Sequence, residues 1–372
     1  MPLIGPHPAS FVKRLGLVLT WIFSDLDESE VDLFRRQVIP ALNKIAEHAV
    51  LCRLDLCSLK IPLDEVIKSQ NPIVFGHLRE IVIRCHIPNE RSLEIFESLC
   101  RGSPSLTCLE LDWASIRQGP NFVVRLMERI PKVCPNLREI QLKYLNYAIE
   151  EESYESIQQV FDDPNFTFPL LQRFHCDRSM NCSGFLERHP GIERLECFNS
   201  SKSGFTGVLP NLRLFRGSVT DYLALFSKNP PPVEYLRVYL KDPFAAEEEM
   251  YFINALSKSR TLRRLALDEY RITGISLGLL TKACPNLTHF IFKLDPELSA
   301  EPKLVYSTIL HNLANLEHLD LTFKCASKHQ PDHYTSHLQG FSGHHSLNSV
   351  HVWSGRKDFY FVKENGEMIL VP

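Results

Sequence analysis

Cys134-Pro135-Asn136-Leu137-Arg138-Glu139-Ile140-Gln141-Leu142 is the stretch whose reading decides the fold. Its three apolar positions, Leu137, Ile140 and Leu142, are separated by two variable residues and then by one. Period-two alternation at the end of the phrase is a short strand that turns its aliphatic side chains one way. Pro135, with no N–H and a fixed φ, stops a preceding helix and sets the chain up for that strand. The same spacing begins at Val12, Leu51, Leu78, Leu106, Leu137, Leu171, Ile192, Leu212, Val233, Leu262, Leu287, Leu316 and Leu347. In a chain that is 44% hydrophobic, roughly thirty windows would match by accident. Proline decides the matter: it stands two positions ahead of the first apolar residue in seven of these thirteen, at Pro104, Pro135, Pro169, Pro190, Pro210, Pro231 and Pro285. With 24 prolines in 372 residues, about one is expected there if placement is random.

Successive matches lie roughly 20 to 40 residues apart, within or near the period of leucine-rich repeats. Between them, Leu93, Phe96, Leu99 and Cys100 form a helical stripe, as do Val123, Leu126, Met127 and Ile130. Phe252, Ala255 and Leu256, and then Val305, Ile309 and Leu313, repeat it. Each unit therefore reads as strand, turn, helix and return, and no unit can bury its apolar side alone, so neighbours must stack. The expected fold is α/β, a leucine-rich-repeat solenoid curved into a horseshoe, with a parallel inner sheet and outer helices. Residues 51–355 form the solenoid, and residues 1–50 are a first repeat or a degenerate F-box-like segment. Residues 356–372 are a hairpin cap, in which 359–362 and 368–371 flank the turn signal Asn365-Gly366.

The repeats are uneven. Spacing is shortest from Leu171 to Val233, where little room is left for a helix, and the match at Leu212 ends on Gly217 instead of leucine. The longer stretches 144–168 and 242–250, the second containing Glu247-Glu248-Glu249, read as solvated loops or helix starts, or as an acidic contact for a basic partner.

A net charge of −3 argues against nucleic acid or an anionic membrane as the main partner, since both demand a basic face. The 11 cysteines contain no C-x-x-C pair, so they read as small buried hydrophobes in a reducing compartment, cytoplasmic or nuclear. Lys13 and Arg14 precede an apolar run at 15–23 that resembles a signal peptide, but it has no small-residue cleavage site and is too short to span a bilayer. Only under that reading would the glycosylation sequons at Asn165, Asn181, Asn199 and Asn286 matter. No nucleophile elbow, phosphate loop or dinucleotide fingerprint occurs, so neither catalysis nor a cofactor is expected. His329, His333 and His337 recur at helical spacing, yet Pro331 opposes a helix and no H-E-x-x-H is formed, so they read as a polar loop rather than a metal site.

Cys134-Pro135-Asn136-Leu137-Arg138-Glu139-Ile140 and Cys284-Pro285-Asn286-Leu287-Thr288-His289-Phe290 resemble the C-P-N-L-x-x-L phrase in the repeat domains of F-box proteins. The segments beginning His189-Pro190 and Leu209-Pro210 are looser copies. The resemblance spans roughly residues 50–355, and the irregular repeat lengths are more like fungal members. It implies a repeat domain that grips a protein substrate while an F-box docks on the Skp–cullin ubiquitin ligase scaffold. Ile22-Phe23-Ser24-Asp25-Leu26-Asp27-Glu28-Ser29-Glu30-Val31 resembles part of an F-box. However, no Leu-Pro opens it, no tryptophan follows, and Pro40 interrupts the next helix. In the other reading Val12-Lys13-Arg14-Leu15-Gly16-Leu17 is a first repeat strand, followed by a helix capped by Ser29. A Skp-type adaptor is implied only if an F-box is present; otherwise the chain is a stand-alone adaptor or scaffold.

The variable positions of the pattern should face the concave side. Among them Arg173, Arg194, Phe198, Arg216, Tyr235, Arg237, Tyr239 and Arg264 form the densest set of arginines and aromatics. These residue types dominate interface energetics through forked hydrogen bonding and broad contact area. The expected occupant is an acidic or phosphorylated segment of a partner protein.

Overall fold

The structure is a computed structural model that describes residues 13–18, 36–37, 40, 44, 52–57, 76–84, 90–112, 120–143, 154–176, 181–197, 205–226, 228–239, 246–272, 274–294, 302–323, 343–353 and 358–371. Each phrase read above as a strand and lying among these residues is one. The chain is an α/β fold built on a long, mostly parallel sheet, and its backbone packing divides it into two compact units, residues 1–192 and 193–372.

In the first unit, strands β1 (Arg14–Val18), β2 (Arg53–Cys57), β3 (Glu80–Arg84), β4 (Cys108–Asp112), β5 (Glu139–Lys143) and β6 (Arg173–Cys176) pair in parallel and in chain order. Helices α1 (Glu90–Arg101), α2 (Pro120–Val133), α3 (Tyr154–Asp162) and α4 (Ser183–Glu187) follow β3 to β6, each packed on the next. In the second unit, β7 (Arg194–Cys197), β8 (Leu214–Ser218), β9 (Tyr235–Tyr239), β10 (Arg264–Ile272), β11 (His289–Leu294), β12 (His318–Phe323) and β13 (Ser349–Trp353) are again parallel and sequential. Their helices are α5 (Val219–Phe226), α6 (Ala246–Ser257), α7 (Gly274–Ala283) and α8 (Pro302–Asn312). Antiparallel strands β14 (Asp358–Glu364) and β15 (Glu367–Val371) end the unit. The Asn365-Gly366 turn joins them, with φ of 52° and 90°, the positive pair that a two-residue hairpin requires.

Proline does more here than stop a helix. At Pro104, Pro135, Pro169, Pro190, Pro210 and Pro285 it is the second residue of a tight turn whose first carbonyl accepts the N–H of the phrase's first apolar residue, at 3.0–3.4 Å. Its fixed φ suits that position, and the N–H it lacks would have gone unused. Pro231 departs from this, because the Val233 N–H bonds the Pro231 carbonyl itself.

The apolar positions of the pattern are the core. Leu109, Leu137, Leu262, Leu265, Leu316 and Leu319 are at most 2% exposed, and the helical stripes close over them through Leu126, Met127, Ile130, Leu256, Val305 and Ile309. Eight cysteines among the described residues are free thiols, six of them buried. Of the stretch 144–168 the described part, 154–168, holds a helix rather than a solvated loop: α3 and the chain after it bury Ile157, Val160, Phe161, Phe166 and Phe168. Glu247, Glu248 and Glu249 fall in the first turn of α6, where carboxylates complement the unpaired N–H groups and helix dipole. The F-box-like segment 22–31, Ser29, Phe198 and the histidines at 329, 333 and 337 lie outside the described residues.

Around the short repeats, aromatic rings fill the space behind the sheet. In the first unit Phe161, Phe166, Phe168, Phe174 and Phe185 form one edge-on cluster, with centroids 4.7–6.5 Å apart. In the second, Phe215, Tyr222, Phe226 and Phe252 form another. Gly217 makes room for that second cluster. A Cβ there would stand 2.3 Å from the Cys197 carbonyl oxygen and 2.9 Å from the Phe215 ring, so the slot a leucine fills elsewhere is already taken.

His189 stands at the edge of the first cluster, 4% exposed, with its ring 4.1 Å from that of Phe185. Its Nε2 accepts the Phe168 N–H at 2.8 Å and its Nδ1–H donates to the Phe185 carbonyl at 2.6 Å, a geometry that needs the neutral ring. Burial, only partly opposed by the Phe185 bond and reinforced by Arg188, lowers its pKa to about 4. The unfolded chain takes up this proton near pH 6.5 and the folded chain does not. Stability is therefore full above pH 6.5 and falls as pH drops toward 4, by about 3 kcal/mol. Denaturant titrations at pH 7.5 and 4.5 should show His189→Leu less stable than wild type at the higher pH, with the gap narrowing by about that amount at the lower; a constant gap refutes the assignment. Leu265→Ala and Leu319→Ala should each cost about 2–5 kcal/mol as core truncations, and neutrality of both would mean that the repeat register is wrong.

Candidate functional site

Because paired residues of neighbouring strands share a side of the sheet, register turns the variable positions into rows. In the first unit one row runs Arg53, Glu80, Cys108, Glu139, Arg173, and its neighbour Asp55, Val82, Glu110, Gln141, His175. In the second they run Arg194, Leu214, Tyr235, Arg264, His289, His318 and Glu196, Arg216, Arg237, Ala266, Ile291, Asp320. The variable positions of the repeat pattern fall into these rows.

The first unit's face is largely self-neutralised. Arg53 bridges Asp55 at 3.2 Å and Glu80 at 2.5 Å, Lys143 reaches the nearly buried Glu110 at 2.8 Å, and Arg173 meets Glu139 at 3.1 Å. Arg173 is thus about half exposed, but it lies in the first unit and is already paired.

The second unit gathers the rest, apart from Phe198, which is not described. Tyr239 is the centre. The Arg216 Nε donates to its hydroxyl, and the Arg216 and Arg237 guanidinium carbons lie 5.4 and 5.8 Å from its ring centroid. Arg216 also reaches Glu196 at 3.4 Å, and Arg237 donates to Asp268 at 2.5 Å. Burial works against the Arg237 charge, but the bond and charge of Asp268, with Tyr239 and Tyr235 adding, hold its pKa above the ordinary value. Burial raises the Tyr239 phenol, Arg216 and Arg237 pull it back, and it stays above its usual range. Both guanidinium groups are therefore held in fixed orientations, while more than a third of each side chain faces solvent. Arg194 and Arg264 stand exposed in the adjoining row, with Tyr235 beside Arg264.

Glu196 and Asp268, the carboxylates that aim the arginines, were missing from the eight candidates. The signal for them lay in the repeat pattern: each occupies a variable position that shares or adjoins a row with the arginine it holds. Farther along, the His289 and His318 rings lie 4.3 Å apart. His289 Nδ1 is 2.9 Å from the Thr288 hydroxyl and His318 Nδ1 is 2.7 Å from that of Ser349. Burial, then His318 and Arg264, lower the His289 pKa. Among the described residues no three His, Cys, Asp or Glu gather closely enough to hold a metal ion, and no helix is long and apolar enough to cross a membrane.

No protein-family model matches the chain, and no curated protein matches it. Among solved structures, the Rad7–Elc1 complex of yeast contains a chain 14% identical, at a TM-score of 0.39, covering 82% of this chain and 87% of that one. A protein of Bacteroides fragilis is 11% identical at a TM-score of 0.38, with 82% and 71% covered.

Partly exposed ion pairs are worth about 0.2–1 kcal/mol each. Removing the charges with Glu196→Gln and Asp268→Asn should therefore leave the thermal midpoint nearly unchanged while strengthening the binding of a tetraglutamate peptide by calorimetry. Weaker peptide binding by the folded double variant would mean that the carboxylates matter more for aiming the arginines than for competing with an anion.

Proposed function

We propose that this chain is a leucine-rich-repeat solenoid whose inner face captures an acidic or phosphorylated segment of a partner protein. The observation that carries the reading is the grouping of Arg216 and Arg237 around Tyr239, with Arg194 and Arg264 alongside. Four arginines against two carboxylates leave the face cationic, although the chain as a whole is acidic. A fork-shaped cation that is oriented in advance loses less freedom on meeting a carboxylate or phosphate than a mobile one does. The role is recognition without catalysis, in the cytosol or nucleus. The particular assignment is substrate receptor of an F-box-type ubiquitin ligase, supported by the two Cys-Pro-Asn-Leu phrases at 134–137 and 284–287. A stand-alone adaptor is the second reading, favoured by the departures of 22–31 from an F-box: no Leu-Pro opens it and no tryptophan follows, whereas Pro40, expected to interrupt a helix, is itself helical.

The triple variant Arg194→Ala, Arg216→Ala, Arg237→Ala should unfold near the wild-type temperature and bind acidic or phosphoserine peptides at least about tenfold more weakly, a loss of about 1.4 kcal/mol or more. Unchanged binding by the folded variant removes the proposal. Co-purification of a Skp-type adaptor with the intact protein separates the ligase reading from the adaptor reading.

A further inference from the structure

Toward the second unit's last strands the outward face changes character. From β7 to β11 it carries Arg194, Arg216, Arg237, Arg264 and Lys293 against Glu196 and Asp268. From β13 to β15 the same face is aromatic and aliphatic: Trp353 is 42% exposed, Tyr360 46%, Ile369 43% and Val371 42%. Register makes these one patch. Tyr360 lies opposite His351 on one side and Val371 on the other, and Val362 lies opposite Ser349 and Ile369. The alternate residues of these strands, Val350, Val352, Phe359, Phe361 and Met368, are buried, so the core is filled without the outward set. Apolar side chains gathered on one face mark a contact surface more often than scattered ones do. Around the patch stand carboxylates: Asp320 and Asp358 lie 3.7 and 3.5 Å from the two nitrogens of His351, and Glu364 and Glu367 pair at the hairpin end.

We propose that this patch is a second anchor for the segment held by the arginines. The inference rests on the function proposed above and adds a partner class: an acidic stretch followed by an aromatic or large aliphatic side chain with a basic neighbour. The charge order of the face dictates this order in the ligand, cationic from β7 to β11 and carboxylate-rimmed from β13 to β15. Five strand steps separate β9 from β14, about 24 Å at the usual spacing. An extended chain covers that distance in about seven residues. Each anchor alone is small, and joining them makes the second contact intramolecular, so affinity rises without any new group.

The test uses three fluorescein-labelled peptides with the full chain: four glutamates alone; Leu-Trp-Lys-Arg alone; and the two joined by a seven-residue Gly-Ser spacer. The joined peptide should bind at least about tenfold tighter than either half. Tyr360→Ser with Ile369→Ser should return it to the affinity of the glutamate half and leave that half unaffected. A second variant, Trp353→Ala, guards against misfolding of the first, and both should melt like wild type. If the glutamate half binds but joining gains nothing, or the folded patch variants bind the joined peptide normally, the second anchor is overturned and the arginine site stands. If the glutamate half does not bind wild type, the arginine site itself fails and the two-part segment fails with it. Self-association that Ile369→Ser abolishes, seen by sedimentation, overturns the proposal in favour of a second copy of the chain as occupant.

Discussion

At the mouth of eleven strands, β1 to β5 and β7 to β12, one carbonyl oxygen accepts two N–H groups from the next coil, and the rest of the structure depends on that fork. In the first unit the acceptors are Lys13, Cys52, Arg79, Thr107 and Arg138; in the second they are Glu193, Arg213, Glu234, Arg263, Thr288 and Glu317. A carbonyl has two lone pairs and can satisfy both donors. Taken together with the leucines that must face the core, the fork leaves a strand no freedom to slip, since a one-residue slip would turn every leucine outward. Side-chain rows follow from this. Arg216 stands beside Arg237 because the carbonyls of Glu193 and Arg213 begin their strands at matching places.

The same constraint explains how the core tolerates uneven repeats. Strand spacing is fixed by hydrogen bonding, so a short coil cannot bring its strand closer; it can only fill the space behind the sheet with less chain. Phenylalanine does this economically, each ring burying as much apolar area as part of a helical turn. The two aromatic clusters gather around the shortest coils, with Phe174, Phe185, Phe215, Tyr222 and Phe226 from residues 171–233 and Phe161, Phe166, Phe168 and Phe252 from the longer coils on either side, and α4, at five residues, is the shortest helix among the described residues. Gly217 is the counterpart of that solution: once Phe215 fills the volume behind β8, its neighbour on the same strand can carry no side chain.

Most of the strand framework was legible in the sequence, because period-two burial and proline placement are local properties of the chain. Even the rows were legible, since a repeated pattern aligns itself. The ion pairs were not. Whether Arg237 meets Asp268 or Arg216 meets Glu196 depends on side-chain rotamers across a strand gap, which no spacing encodes. Nor did the leucine pattern foretell that β10 would run nine residues, with a register shift between Leu267 and Arg271, because that shift depends on pairing with β11. The strands of the last hairpin were visible as the apolar runs 359–362 and 368–371. Both phases of each run are hydrophobic, however, and only the buried phase is required by the core, so the outward phase could be told apart only once the strands were paired.

Paired arginines are a poorer attraction for an anion than free ones, and that bears on selectivity. A partner carboxylate approaching Arg237 competes with Asp268, and one approaching Arg216 meets Glu196 close by, so a single weak charge gains little. An anion able to occupy both guanidinium groups, as a phosphate or a run of carboxylates can, gains from two oriented forks at once. Tyr239 keeps the two forks at one ring and limits the positions from which both can be reached. Under the proposed function, the existing carboxylates would filter ligands, repelling isolated negative charge and yielding to dense negative charge. A surface of unpaired arginines would bind any anion; pairing is what would make the proposed site discriminate.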